Sequence, residues 1–239
     1  MKRAMTAEAK AARAQQIMDV AAEMLMTTDY RLLKMSNIAK AAGISNGLIF
    51  TYFKTKETLF LCLLWREYEK RLDYLEAETE KTPMKDFSDI QDLLLAELER
   101  LLYHNPVYIK LESMRSVILE KNADTKLLLN MKEELYGRVG TWSKKLSETG
   151  IISQREILDI FFAEIGVIIG CYLQNAILAD VREVISARSE DRPCSEDEPR
   201  SEDEIRCKEI TRFGETDFRE SILRRMRFYL EGYKQNLDN

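Results

Sequence analysis

The residues of this 239-residue chain that could carry out chemistry are unevenly supplied. His104 is the only histidine, which argues against a metal centre built on imidazoles and against a histidine-dependent triad. The four cysteines (Cys62, Cys171, Cys194 and Cys207) share no C-x-x-C spacing, and two of them sit in helical apolar patterns where a thiol is a small hydrophobe. The Glu-x-x-His pairs that di-iron helical bundles need do not occur, since Leu101-Leu102-Tyr103 precede His104. The expectation is no enzyme: no catalytic residue, no metal and no cofactor. What remains is a dense block of small, aromatic and hydrogen-bonding residues from Gly43 to Phe53, closed by Lys54-Thr55-Lys56. In it Asn46 and Thr51 can hydrogen-bond to base edges, and Leu48 can touch a thymine methyl. Tyr52 can donate to a phosphate, and Gly47 permits close approach of the backbone.

Such residues work only if local structure presents them. Ile17, Ala21 and Leu25 recur every four residues and predict a first helix over 6–28, capped by Thr6. A short helix is expected at about 36–42, ended by Gly43. Ser45 can cap a third helix through Phe53, and Thr55 a fourth that runs from Lys56 to about Glu80. Two short helices around a glycine-containing turn form a helix-turn-helix, whose second helix enters the DNA major groove. Ile38, Ala39, Ala42, Ile44, Ile49 and Phe53 would pack inward. Ser45, Asn46, Gly47, Leu48, Phe50, Thr51 and Tyr52 would face outward or along the rim. Lysine in the first turn of a helix opposes the helix dipole, so Lys56 is expected to meet a phosphate.

Charge agrees with a polyanion at one end. Residues 1–60 carry nine Lys/Arg against five Asp/Glu, although the whole chain has a net charge of −5. With 9 Gly and 4 Pro there is too little turn punctuation for a sandwich or barrel, and no segment alternates as a strand would. The fold class expected is all-α. The longest charge-free run, Ile165–Ala179, is too short to span a bilayer, and the N-terminus has no apolar segment of a signal peptide, so the localisation expected is cytoplasmic with no membrane partner.

Beyond the fourth helix, further helices are expected at about 87–104, 107–120, 124–148, 154–187 and 215–236. Between the last two, Ser-Glu-Asp recurs at 189, 195 and 201, and 188–212 is expected to be a mobile acidic loop. The helix at 154–187 is apolar almost all round, which calls for protein on more than one side. Together with the last helix it suggests a four-helix dimer interface that includes Phe161, Ile165, Ile169, Leu173, Ile222 and Met226. Gly166 and Gly170 would lie one above the other and allow another helix close. Candidates for lining a ligand pocket in the body are Trp65, Tyr103, His104, Tyr108, Met114, Tyr136 and Trp142.

The stretch MSNIAKAAGISNGLIFTYFKTKETLF resembles the N-terminal domain of the TetR family of bacterial transcriptional regulators. The matching pieces are Ile38-Ala39, Ala42-Gly43-Ile44-Ser45, Gly47, Phe50-Thr51-Tyr52-Phe53, and Lys56 followed by Glu57 and Leu59. The resemblance implies a domain over 1–55 that binds DNA and a helical domain over 56–239 that binds an effector and dimerises. It also implies a homodimeric repressor, released from a palindromic double-stranded operator by a small molecule. Two departures stand out. Phe50 replaces the tyrosine usual at the first aromatic position, and Lys34-Met35-Ser36 replaces the usual opening of the first short helix. Ser36 is then the candidate cap or phosphate donor. The alternative is a helical interaction protein of this fold that does not bind DNA.

Overall fold

A computed structural model describes residues 6–190 and 217–237, with side chains from 178 to 190 left aside. Among the described residues all regular structure is helical. The chain forms α1 (Ala7–Thr27), α2 (Met35–Ala41), α3 (Asn46–Tyr52), α4 (Lys56–Lys81), α5 (Phe87–His104), α6 (Pro106–Met114), α7 (Thr125–Ser147), α8 (Gln154–Glu190) and α9 (Phe218–Leu237). No helix among the described residues is long and apolar enough to cross a membrane. Apart from its first three positions, which close α8, the acidic segment expected at 188–212 lies outside the described residues, as do Cys194 and Cys207.

The helix starts follow their capping chemistry. Thr6, Ser45, Thr55 and Asp124 each accept the amide three residues on, which satisfies a donor the helix leaves orphaned. Asp86 and Asp89 form a reciprocal capping box on α5, and Asn105 with Pro106 opens α6. Helix α2 differs from expectation. It begins at Met35 with Lys34 in the cap position and no side-chain cap bond, so Ser36 lies inside the first turn.

The expected helix over 107–120 is α-helical only as far as Met114. It continues as a π-helix from Arg115 to Leu119 and a 3-10 turn from Glu120 to Asn122. The i→i+5 register of a π-helix brings residues five apart into line. Arg115 uses it to reach Glu120, five residues on, at 3.1 Å, and also pairs with Glu112, three residues back, at 2.7 Å, while Leu119 stays buried.

The chain divides into two compact units, one up to Leu158 and one from Asp159. In the first, Ile17, Ala21 and Leu25 of α1, Ile38 and Ala39 of α2, and Ile49 of α3 are buried, as are Leu59 and Phe60 of α4. A large apolar side chain of this kind contributes about 1.5–3 kcal/mol on burial. Helix α4 is the spine of this unit and packs against α1, α5, α6 and α7. In the second unit α8 and α9 meet through Tyr172 and Phe218, with ring centroids 6.1 Å apart. Ile222, Met226 and Leu230 of α9 are buried.

Candidate nucleic-acid interface

Helix α2 ends in a Schellman-type cap. Gly43 takes φ +67°, its amide bonds Lys40 O at 3.2 Å, and the Ile44 amide bonds Ala39 O at 3.0 Å. This turn sends the chain directly into Ser45, whose Oγ accepts the Leu48 amide at 3.3 Å and starts α3. Helix α3 is anchored by Ile49 and Phe53, both buried, with Ile44 half-buried behind them.

The opposite face of α3 is open. Ser45, Asn46, Gly47, Leu48, Phe50 and Thr51 are exposed, and Tyr52 is half-buried. Leu48 and Phe50 keep 41% and 40% of their surface exposed on this seven-residue helix, so both can reach a partner. Thr51 Oγ1 donates to Leu48 O at 2.8 Å, which leaves its lone pairs to accept. Ser36 is exposed on α2, where its hydroxyl is free of any capping duty.

Lys56, expected to meet a phosphate, is engaged within the chain. Its Nζ donates to Tyr30 O at 2.8 Å and Leu33 O at 3.0 Å and lies 4.1 Å from the centroid of the Tyr30 ring. Lysine at the start of α4 therefore has an internal reason: it satisfies the carbonyls of the turn that leads into α2. Two exposed lysines outside the expected site, Lys34 and Lys54, flank α2 and α3. Their position beside a helix-turn-helix was the available signal, since cations around such a motif face the polyanion.

In the body, the seven pocket candidates do not converge. Tyr108 and Trp142 are buried, Trp65 and Met114 half-buried, and Tyr103, His104 and Tyr136 exposed. Tyr108 packs edge-on against Tyr68 and receives a hydrogen bond from Arg71 Nη1 at 3.1 Å. Trp142 Nε1 donates to Thr79 Oγ1 at 3.0 Å, two turns further along α4, roughly 12 Å away along its axis.

The structure instead gathers a charged cluster between α4, α5 and α6. Arg71 Nε lies 3.1 Å from Glu97 Oε1, with both side chains wholly buried. Tyr68 Oη donates to Glu112 Oε2 at 2.7 Å. Burial pushes the Glu97 carboxyl above the ordinary range, against the opposing pull of Arg71 and Arg100. The Arg100 guanidinium lies 4.6 Å from the Tyr74 ring centroid, and its Nε and Nη2 are buried without a hydrogen-bond partner. The signal for this cluster was Arg71 itself, a cation inside the apolar stripe of Leu64, Tyr68, Leu72 and Leu75.

Of the six interface candidates, Phe161, Ile165, Ile222 and Met226 are buried within the chain, Ile169 is half-buried, and Leu173 is 46% exposed. Among the described side chains of α8 and α9, the large apolar ones left exposed are Phe162, Leu173, Ile177, Phe228 and Leu237. A helix that is apolar all round satisfies one side within its own chain, which is why its innermost positions are spent there.

Comparison with known proteins agrees with this geometry. The family described as "Bacterial regulatory proteins, tetR family" matches residues 17–63, from the middle of α1 into α4. The HTH-type transcriptional regulator YvkB of Bacillus subtilis (strain 168) is 30% identical over 177 residues, covering 73% of this chain and 87% of that protein. Two solved structures share the fold. A possible TetR family transcriptional regulator of Streptomyces coelicolor A3(2) has TM-score 0.55 at 16% identity, covering 95% of this chain and 98% of the other. The fatty acid degradation regulator FadR of Bacillus halodurans has TM-score 0.52 at 22% identity, covering 69% and 86%. An exposed α3 on a buried helix-turn-helix frame, with a relative matched well beyond that frame, leads to one conclusion: the chain belongs to the TetR family of DNA-binding transcriptional regulators.

Proposed function

We propose that this regulator is a homodimeric repressor of the bacterial cytoplasm that binds a near-palindromic operator and leaves it when a small molecule enters the body. The observation that carries the reading is α3, with Ile49 buried beneath and Asn46, Gly47, Leu48, Phe50 and Thr51 exposed. One such helix reads a few base pairs, and a symmetric pair reads two half-sites. Ser36, Ser45 and Tyr52 fit the phosphate-facing rim, joined by Lys34 and Lys54.

Dimerisation is assigned to the exposed stripe of α8, where Phe162, Gly166, Ile169, Leu173 and Ile177 follow one another at helical spacing, with Phe228 of α9. A Cβ on Gly166 or Gly170 would meet nothing within 4 Å in the single chain, so both leave room for a second helix.

The effector is assigned to the α4–α5–α6 core. Arg100's two buried, unpartnered donors favour a molecule with hydrogen-bond acceptors, such as a carboxylate or phosphate. An effector that prefers one tilt of α4 would shift the spacing of two reading heads.

The test is selection of duplexes from random DNA by the wild-type protein, then a screen for anionic small molecules that dissociate the complex. Arg100→Met should keep the operator affinity and lose the response to the effector. Failure to enrich any duplex would favour an interaction protein of the same fold.

A further inference from the structure

We propose that Lys56 is a positioning residue for DNA recognition, a weld that fixes α4 to the turn before α2, and not a phosphate contact. The proposal rests on the assignment of α3 as the reading helix. An ammonium has three hydrogens to place. Two go to Tyr30 O at 2.8 Å and Leu33 O at 3.0 Å, and the charge faces the Tyr30 ring at 4.1 Å. With two hydrogens on main-chain carbonyls and the charge over a ring, Lys56 keeps at most one hydrogen for any other partner.

The same two segments are joined twice more. Tyr30 Oη donates to Glu57 Oε1 at 3.1 Å, and the Tyr30 ring meets Phe60 edge-on with centroids 5.3 Å apart. Burial and the neighbouring Glu57 carboxylate raise the Tyr30 hydroxyl above its ordinary range, so it stays a donor at working pH. The start of α4 and the turn before α2 thus act as one joint. Lys56 and Glu57 open α4, Tyr30 and Leu33 precede α2, and α2 leads through Gly43 to α3. When α4 tilts, the turn at 30–33 must follow, and the reading head moves with it.

A phosphate contact and a weld differ in their salt dependence. Removing one phosphate contact to B-DNA reduces the slope of log affinity against log salt by about 0.9. Breaking a weld disorders the reading head, so affinity falls while the slope stays. The experiment measures binding of full-length wild-type, Lys56→Met and Tyr30→Phe proteins to a duplex enriched by the wild type, across a salt series at a temperature where all are folded. Lys56→Met should bind about tenfold more weakly at every salt concentration, with the wild-type slope. Tyr30→Phe, which removes only the Glu57 bond, should weaken binding severalfold with the same slope. Amide exchange over residues 29–34 of the free protein should quicken in Lys56→Met.

A slope that falls by about 0.9 per protomer in Lys56→Met would overturn the proposal in favour of a phosphate contact. Unchanged affinity in both variants would overturn it in favour of a purely structural role. If Lys56→Met fails to fold by circular dichroism, Tyr30→Phe decides by affinity: severalfold weaker binding supports the joint and unchanged binding overturns it. If the wild type enriches no duplex, the DNA reading fails, and the exchange of residues 29–34 still judges the weld.

Discussion

Lys110 Nζ of α6 donates to the main-chain carbonyl of Leu25 at 2.6 Å, across 85 residues of sequence. Leu25 lies in the last turn of α1, where helix carbonyls lack intrahelical partners and attract a cation. Arg66 of α4 makes a parallel link to the same helix, with Nη1 at 2.6 Å from Asp19 Oδ1. The body thus grips α1 at two points, one from α4 and one from α6. Lys110→Met should lower unfolding stability by about 2 kcal/mol, since a hydrogen bond to a charged group is removed. Urea unfolding of both proteins checks this, and an unchanged midpoint would show that the link contributes nothing.

The two glycines of the helix-turn-helix should respond in opposite ways. Gly43 has φ +67°, and a Cβ there would meet no atom within 4 Å, so the cost of Gly43→Ala is purely conformational, about 1–2 kcal/mol. Gly47 lies within α3, at an ordinary helical φ and with open space around a Cβ. Gly47→Ala should therefore hold stability level or raise it by about 0.5–1 kcal/mol, and weaken operator binding if the backbone must approach DNA closely. Thermal unfolding and gel-shift titration of the pair separate folding from recognition.

Asn46 is exposed in the first turn of α3, where a helix-turn-helix contacts base edges. Asn46→Ala should cost about 1–3 kcal/mol at one base-pair position of each half-site and relax preference there, with little change in stability. Duplex selection repeated with the variant reads this directly. A uniform weakening across all positions would indicate a phosphate contact instead.

Leu173 and Ile165 lie on the same helix, but one is exposed and the other buried within the chain. Leu173→Glu should yield a folded monomer by sedimentation equilibrium, because a charge placed at a dry interface is left unpaired. Ile165→Glu should instead unfold or strongly destabilise the chain, whatever its oligomeric state. If Leu173→Glu remains a dimer, the α8 stripe is not the interface.

Burial pushes the Cys62 thiol on α4 up to about 11. A group whose folded value is raised contributes stability in full below its unfolded value, about 8.5, and loses it as pH climbs toward the folded value. Stability should therefore fall across about pH 8.5–11 by about 3 kcal/mol more in the wild type than in Cys62→Val. Chemical unfolding at a series of alkaline pH values, compared between the two proteins, isolates this from the tyrosines and lysines they share.

Much of this architecture was written into local sequence. Helix starts follow Thr6, Ser45, Thr55, Asp86, Asn105 and Asp124 because a capping side chain acts within three residues. The outward face of α3 follows from helical periodicity and from Gly43, both readable along the chain. Tertiary structure alone decided the partners of Lys56, Arg71 and Lys110. Lys56 opposes the dipole of its own helix and finds its acceptors at Tyr30 and Leu33, more than twenty residues earlier. Arg71 looks misplaced in an apolar stripe until Glu97 and Tyr108 arrive from α5 and α6. Which apolar face of α8 the chain covers itself, with Ile165 inside and Leu173 outside, was likewise beyond periodicity. Backbone hydrogen bonding and side-chain spacing are local and repeat along the sequence. A long charged or apolar side chain takes whichever partner folding brings within a few ångströms, and that depends on chain segments far from it.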